Sequence, residues 1–155
     1  MSSRDYWRAQ IPAENQIMTA SATIEFKTKG DGDIINLTER VQDAIGESGI
    51  HDGLVTVCAI GSTAAVTTIE YEPGLKRDLP ALMQRLIPAG VPYEHDAAWG
   101  DGNGYAHLRS ALIGTSFTTA VEGGRAVLGT WQQIVFLEFD NRPRSRQVRV
   151  QVVGE

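Results

Sequence analysis

Residues 147–152 alternate strictly, with Val148, Val150 and Val152 on one side and Gln147, Arg149 and Gln151 on the other. A period of two in apolar and polar residues is the mark of a strand with one dry and one wet face. Just upstream, Trp131, Gln133, Val135, Leu137 and Phe139 share one face of a long strand while Ile134 and Phe136 occupy the other. With apolar residues on both sides, the middle of that strand is expected to be buried on both faces. Before it, Phe117 to Val121 and Arg125 to Leu128 flank Glu122-Gly123-Gly124, a hairpin signal. The C-terminal third therefore reads as hairpins and long strands, which require antiparallel pairing.

The first two thirds add helices without a regular strand–helix rhythm. Ser21 to Lys27 alternates with Ala22, Ile24 and Phe26 on one face and suggests a half-buried strand. Leu37, Val41 and Ile45 recur at helical spacing and Gly49 offers a stop, so an amphipathic helix is expected over about 37–48. Gly53 to Ile60 is a short β-branched run suited to a buried strand, and Val66 to Tyr71 reads as another. Asp78, with Pro80 in the first turn, is expected to begin a second helix facing Leu79, Leu82, Met83 and Leu86 inward. A third, short helix is expected behind Asn103, carrying Ala106, His107, Leu108, Ala111 and Leu112 and ended by Gly114. The sum is a compact single α+β domain, mostly antiparallel sheets with two or three helices. A polar N-terminal arm, residues 1–15, precedes a domain over 16–155.

Composition narrows the function classes. The formal net charge of -5 argues against a nucleic-acid partner, which would show a basic stripe. No apolar run approaches the length of a membrane span, and the polar start lacks a signal-peptide core, so no membrane partner is expected. Cys58 is the only cysteine, so no internal disulfide forms. The expectation is a cytoplasmic protein.

Residues with chemical capacity crowd into 93–109. Two of the three histidines lie there, His95 and His107, with Glu94, Asp96, Asp101 and the Gly102-Asn103-Gly104 run. The part before Asn103 is polar and Gly-rich and reads as a loop. The eleven residues between the two histidines match no standard zinc spacing. A catalytic zinc needs about three protein ligands and an open position. His95 and His107 could provide two of them and Asp96, Asp101 or Glu70 the third, if the fold brings them together. A calcium loop starting at Asp101 fails, because its sixth and twelfth positions would be Ala106 and Leu112. No phosphate loop or dinucleotide fingerprint is present. A helix capped by Asn103 would leave the amides of Gly104, Tyr105 and Ala106 as an anion seat. His107 and Arg109 could add a proton and a charge to it. Glu70 closes the apolar stretch Ala64 to Ile69, a place suited to acid–base work or cation binding. No nucleophile stands out: Ser62 and Thr63 lack a base, and Cys58 lies mid-strand.

Taken together, Gly61 to Glu70, Tyr93-x-His95, Asn103 with Ala106-His107-Leu108, Gly129-Thr130-Trp131-Gln132, and Glu138-Phe139-Asp140 followed by Arg142 to Arg146 resemble the YjbQ family. The likeness runs from about residue 16 to the end. Members are often labelled secondary thiamine-phosphate synthase. The resemblance implies a compact α+β subunit in a homotrimer, with sites at subunit boundaries. It also implies a weak thiamine-phosphate synthase-type transferase activity on small phosphorylated metabolites, and such chemistry usually uses Mg²⁺ to neutralise the leaving group, while the histidine pair makes zinc the other candidate cofactor. It brings forward Glu70, His95, Asn103 and His107 as polar site residues and Gly129 to Gln132 as a structural or pocket-wall signature; joined to the anion-seat reading, this makes Glu70, His95 and His107 the catalytic candidates and Asn103, Gly104, Arg109 and Trp131 the binding candidates. Gly61 stands where many relatives carry a histidine. Two readings compete with the transferase: a non-catalytic oligomeric module binding a small anionic metabolite, and a metal-dependent hydrolase.

Overall fold

A computed structural model describes residues 17–155. The expected arm over 1–15 lies outside the described residues. The chain runs β1 (Met18–Lys27), β2 (Ile34–Asn36), α1 (Thr38–Ser48), β3 (Gly53–Ala59), β4 (Ala64–Ile69), α2 (Leu75–Leu86), α3 (Glu94–Trp99), α4 (Gly104–Ile113), β5 (Ser116–Glu122), β6 (Arg125–Ala126), β7 (Gln133–Glu138) and β8 (Ser145–Gly154). The strands form a five-stranded sheet, β1-β8-β3-β5-β6, and a three-stranded sheet, β2-β7-β4. Every pairing is antiparallel. The α+β architecture expected from the sequence is the one observed. The helices number four rather than two or three among the described residues, because the segment after Tyr93 winds into the six-residue α3. A helix that short carries no apolar period to read, and Gly100 in the left-handed region (φ 67°) ends it.

β7 is the centre of the molecule. Its Ile134 and Phe136 join one core with α1 and the inner face of the five-stranded sheet, contributed by Ile24, Val55, Val57, Val148, Val150 and Val152. Its Val135 and Leu137 join a second core with Met83, Tyr105, Ala106 and Phe139. This is why the strand is apolar on both sides. The alternation in β8 also holds: its valines at 148, 150 and 152 are buried, and Gln147 and Arg149 are exposed. The rings of Phe26 and Phe136 meet edge to face, with centroids 5.0 Å apart.

Several local expectations shift. α2 begins at Leu75, three residues before Asp78, because the Glu72 carboxylate accepts hydrogen bonds from the amides of Gly74 and Leu75. Pro80 therefore lies inside the helix. Met83 faces the core, whereas Leu82 and Leu86 are exposed, because only one edge of α2 meets the small sheet. β2, only three residues long, was too short for a periodic signal. Trp131 is not on the long strand. The Gly129–Gln132 segment is a turn, closed by Gln132 N–H to Gly129 O (2.9 Å) and by the Gln132 side chain, which accepts from Gly129 N–H and donates to Thr68 Oγ1. Trp131 is 69% exposed. No helix among the described residues is long and apolar enough to cross a membrane.

The C-terminal end of β7 carries charge into the interior. Glu138 is fully buried and Asp140 is 1% exposed. Arg146 donates to Glu138 through Nε (2.7 Å) and Nη2 (2.5 Å). Thr28 Oγ1 and the Asp140 amide supply two further donors to the same carboxylate. Removing one partner of a buried pair strands the other charge in a dry place. Glu138→Ala is expected to lower the unfolding free energy by about 3–5 kcal/mol, read as a reduced urea midpoint. A loss below about 1 kcal/mol would mean that Arg146 finds another partner or water.

Candidate metal centre

α3 and α4 form a bent pair joined by Gly100–Asn103, and the geometry of that corner places three side chains together. His95 stands in the first turn of α3, Asp101 in the connection and His107 in the first turn of α4. The imidazole rings of His95 and His107 lie 4.5 Å apart, inclined at 51°. His95 Nε2 is 3.5 Å from Asp101 Oδ1. One donor atom from each of the three falls within 4.8 Å of the others. His95 Nε2 is buried yet makes no hydrogen bond among the described residues. The 3.5 Å approach to Asp101 is an electrostatic contact, too long for a strong hydrogen bond.

The donor set fits a zinc ion. Bond lengths near 2.0–2.2 Å in tetrahedral geometry put neighbouring ligand atoms about 3.4 Å apart, close to the His95–Asp101 separation. Two imidazoles suit zinc better than magnesium, which prefers oxygen donors. Three protein ligands on an exposed corner leave a fourth position open.

The corner is held from below. The Gly104 amide, the first of α4, donates to Asp96 Oδ1 at 2.8 Å. A Cβ at Gly104 would come within 2.7 Å of Tyr93 Cβ, so glycine is needed for α4 to start this close to α3. The Asn103 amide donates to Asp101 Oδ1 at 3.2 Å. Asn141 Nδ2 donates to Asp101 O at 2.7 Å. Asn103 Oδ1 accepts from the Asn141 amide, and its Nδ2 donates to Asp140 Oδ2. Asp140 Oδ2 also accepts from Thr63 Oγ1 at 3.0 Å and lies 2.7 Å from Arg144 Nη2. Burial is the largest single influence on Asp140 and pushes its carboxyl up. The hydrogen bonds from Arg144, Thr63 and Asn103 together outweigh it and hold the group below its ordinary 3.8.

The candidates named from the sequence divide between this corner and other places. His95 and His107 meet, with Asp101 of the three possible carboxylates. Asn103 precedes α4 as expected, but its side chain does not cap the helix. It turns inward to Asp140 and Asn141, and Asp96 takes the amide that an anion was expected to occupy. Gly104 is therefore a close-approach residue whose amide is already bonded. Arg109 faces away from the helix start. It is 2% exposed and donates to Ile87 O, Gln84 Oε1 and Asp31 Oδ1, each at 2.9 Å. Its guanidinium lies over the Tyr105 ring, 4.7 Å from the centroid. It ties α4 to α2 and to the β1–β2 turn. Glu70 is exposed just past the end of β4, outside the cluster. Trp131 is in the Gly129–Gln132 turn. The sequence reading did not single out Asp96, Asp140 or Thr63 as positioning groups. Their partners lie 8, 37 and 77 residues away in the chain, and no local pattern signals such contacts.

Over most of its length the chain is similar to UPF0047 and YjbQ-like proteins. A family model described as UPF0047 protein YjbQ-like matches residues 22–155. A UPF0047 protein of Archaeoglobus fulgidus is 42% identical over 130 residues, covering 84% of this chain and 98% of the relative. The UPF0047 protein YugU of Bacillus subtilis is 35% identical over 134 residues, 85% of this chain and 98% of the relative. Among solved structures, a YbjQ-like protein of unknown function from Sulfolobus solfataricus P2 superposes with a TM-score of 0.85 at 26% identity, covering 90% of this chain and all of that one. A hypothetical protein from Aeropyrum pernix K1 superposes with a TM-score of 0.77 at 35% identity, covering 86% and 99%.

The lowered Asp140 pKa has a defined pH consequence. A carboxylate held below its unfolded value contributes stability that is complete above that value and is lost as pH falls through the folded value. Asp140→Asn is expected to reduce stability by a constant amount above about pH 5 and to converge with the wild type in acid. Parallel urea titrations across pH 2–7 check this, and a gap unchanged down to the acid limit would contradict it.

Proposed function

The chain belongs to the UPF0047 YjbQ-like family, and from that premise we propose that it is a zinc-dependent hydrolase of a small phosphorylated metabolite, with His95, Asp101 and His107 as ligands. The observation that carries the reading is the convergence of two imidazoles and a carboxylate around the bond-free, buried Nε2 of His95. A zinc held in such a site, with one position open, supplies a Lewis acid and brings the pKa of a bound water near 7. The protein's part is to orient the three ligands. Asn103 and Asn141 fix the backbone and carboxylate of Asp101, and Asp96 fixes the start of the helix that carries His107. Support for an anionic substrate comes from the turn that touches this corner. Asn141 bonds to Asp101, Arg142 follows it, and Arg144 has a buried Nε without a hydrogen bond among the described residues.

The thiamine-phosphate synthase-type transfer implied by the family likeness draws less support from the geometry. Its phosphate seat at the start of α4 coincides with the Asp96 carboxylate, and Arg109 points elsewhere. Magnesium, the usual partner of a departing pyrophosphate, is a poor match for two imidazoles.

Protein purified without a histidine tag is expected to carry zinc near one equivalent per chain. His107→Ala should weaken zinc affinity by more than about 100-fold and abolish hydrolysis of p-nitrophenyl phosphate by the zinc-loaded protein. Failure to take up zinc would remove the reading. Zinc uptake without turnover on phosphate esters would favour the non-catalytic binding module.

We also propose that the chain assembles as a homotrimer. Support comes from the outer face of the five-stranded sheet, where Leu54 (55% exposed) pairs across with Val153 and Ala120. Light scattering should give three times the 16.9 kDa of one chain, and Leu54→Lys should lower that mass. A monomer at working concentration would contradict the assembly.

A further inference from the structure

Trp99 is the last residue of α3 and is 76% exposed, more than any other large apolar side chain among the described residues. It belongs to neither hydrophobic core. Its place relative to the metal corner is set by the helix that carries it. Asp96 and Ala97 N–H both donate to Tyr93 O, and Gly100 N–H donates to Asp96 O at 2.7 Å, so the chain winds helically from His95 through Trp99. Residues four apart share one helix face, with Cβ atoms about 5–6 Å apart. A helical side chain also leans toward the N-terminus of its helix and covers the preceding turn. For Trp99 that is the turn of His95. Gly100, in the left-handed region at φ 67°, then ends the helix and leads into Asp101.

The indole is free to receive something at this place. The His95 and His107 rings face each other at 4.5 Å, and neither pairs with Trp99 among the described residues. Indole has the largest π-face of any side chain, and a second planar ring laid on it gains apolar burial together with offset stacking. A phosphate ester held at the metal corner carries its alcohol portion within a few bonds of the phosphoryl group. A platform one helical turn from His95 is within reach of that portion.

Resting on the zinc-hydrolase reading, we propose that the substrate of the metal corner is a phosphate ester whose alcohol portion bears a planar aromatic ring, and that Trp99 selects it by stacking. The test uses zinc-loaded, full-length protein and phosphonates, whose carbon–phosphorus bond withstands hydrolysis, so calorimetry reads binding without turnover. Phenylphosphonate is expected to bind about tenfold more tightly than ethylphosphonate. Trp99→Ala should remove that preference and leave ethylphosphonate binding unchanged, and Trp99→Phe should restore most of it. Leu112→Ala, at a 60% exposed apolar position on α4, is the control and should change neither. Equal binding of the two phosphonates by the wild type, or a preference that survives Trp99→Ala, would overturn the stacking role and leave the metal centre in place. Phenylphosphonate binding that persists undiminished in zinc-stripped protein would put the ring elsewhere and overturn it too. Light scattering of Trp99→Ala should match the wild type; a lower mass would assign Trp99 to a contact between copies instead. Zinc uptake with neither phosphonate bound would overturn this inference and the phosphate-ester reading together, and failure to take up zinc would remove the metal centre and this inference with it.

Discussion

Glu138 and Asp140 carry two carboxylates into a place water does not reach, and most of the functional geometry follows from how those charges are satisfied. Glu138 accepts from Arg146 twice, from Thr28 and from the Asp140 amide. Asp140 is reached by Thr63, Asn103 and Arg144. These donors come from the end of β1, the β3–β4 connection, the start of α4 and the turn into β8. A buried ion pair contributes little net stability over an apolar replacement, since desolvation offsets most of the attraction. What it does here is fix where four separate chain segments meet. A hydrogen-bonded carboxylate has few acceptable arrangements, whereas packed methyl groups have many.

The metal corner hangs from this network by Asn103. One side of its amide holds Asp140 and the other accepts from the Asn141 amide, while its own N–H reaches Asp101. The three candidate ligands thus sit on an exposed corner whose backbone is anchored in the interior. The helix dipole of α4 is engaged by the protein itself, since the Asp96 carboxylate binds the first amide of the helix. That contact spends the site's best anion donor on joining α3 to α4. Arg142 and Arg144 lie instead on the turn between β7 and β8.

Arg109 shows why charge on a helix is a poor guide to function. Two residues after His107, about 200° around the helix, it points to the opposite side, and its guanidinium is covered by Tyr105, Gln84, Ile87 and Asp31. Burial pushes the Asp31 carboxyl above its ordinary value more than Arg109 beside it pulls it down. The pair stabilises the packing of α2, α4 and the β1–β2 turn, and it leaves the site to other residues.

Periodicity was enough to read the long elements. The valines of β8, the two-sided apolar run of β7, the Glu122-Gly123-Gly124 hairpin and the Val41–Ile45 stripe of α1 each report a local repeat that burial imposes on the sequence, and each is found in place. The short elements, β2 and α3, were not legible, because three or six residues hold too few repeats to distinguish a period. The start of α2 was misplaced because Glu72, outside the helix, supplies the cap. From chemistry and crowding, the sequence marked His95 and His107 as candidate metal ligands, with Asp96, Asp101 or Glu70 as the possible third. Which carboxylate joins them, that Asn103 and Arg109 turn inward, and that Glu70 and Trp131 stand apart were decided only by the tertiary structure. Those outcomes depend on contacts across dozens of residues, where the cost of leaving a buried polar group unpaired selects one arrangement that no local pattern encodes.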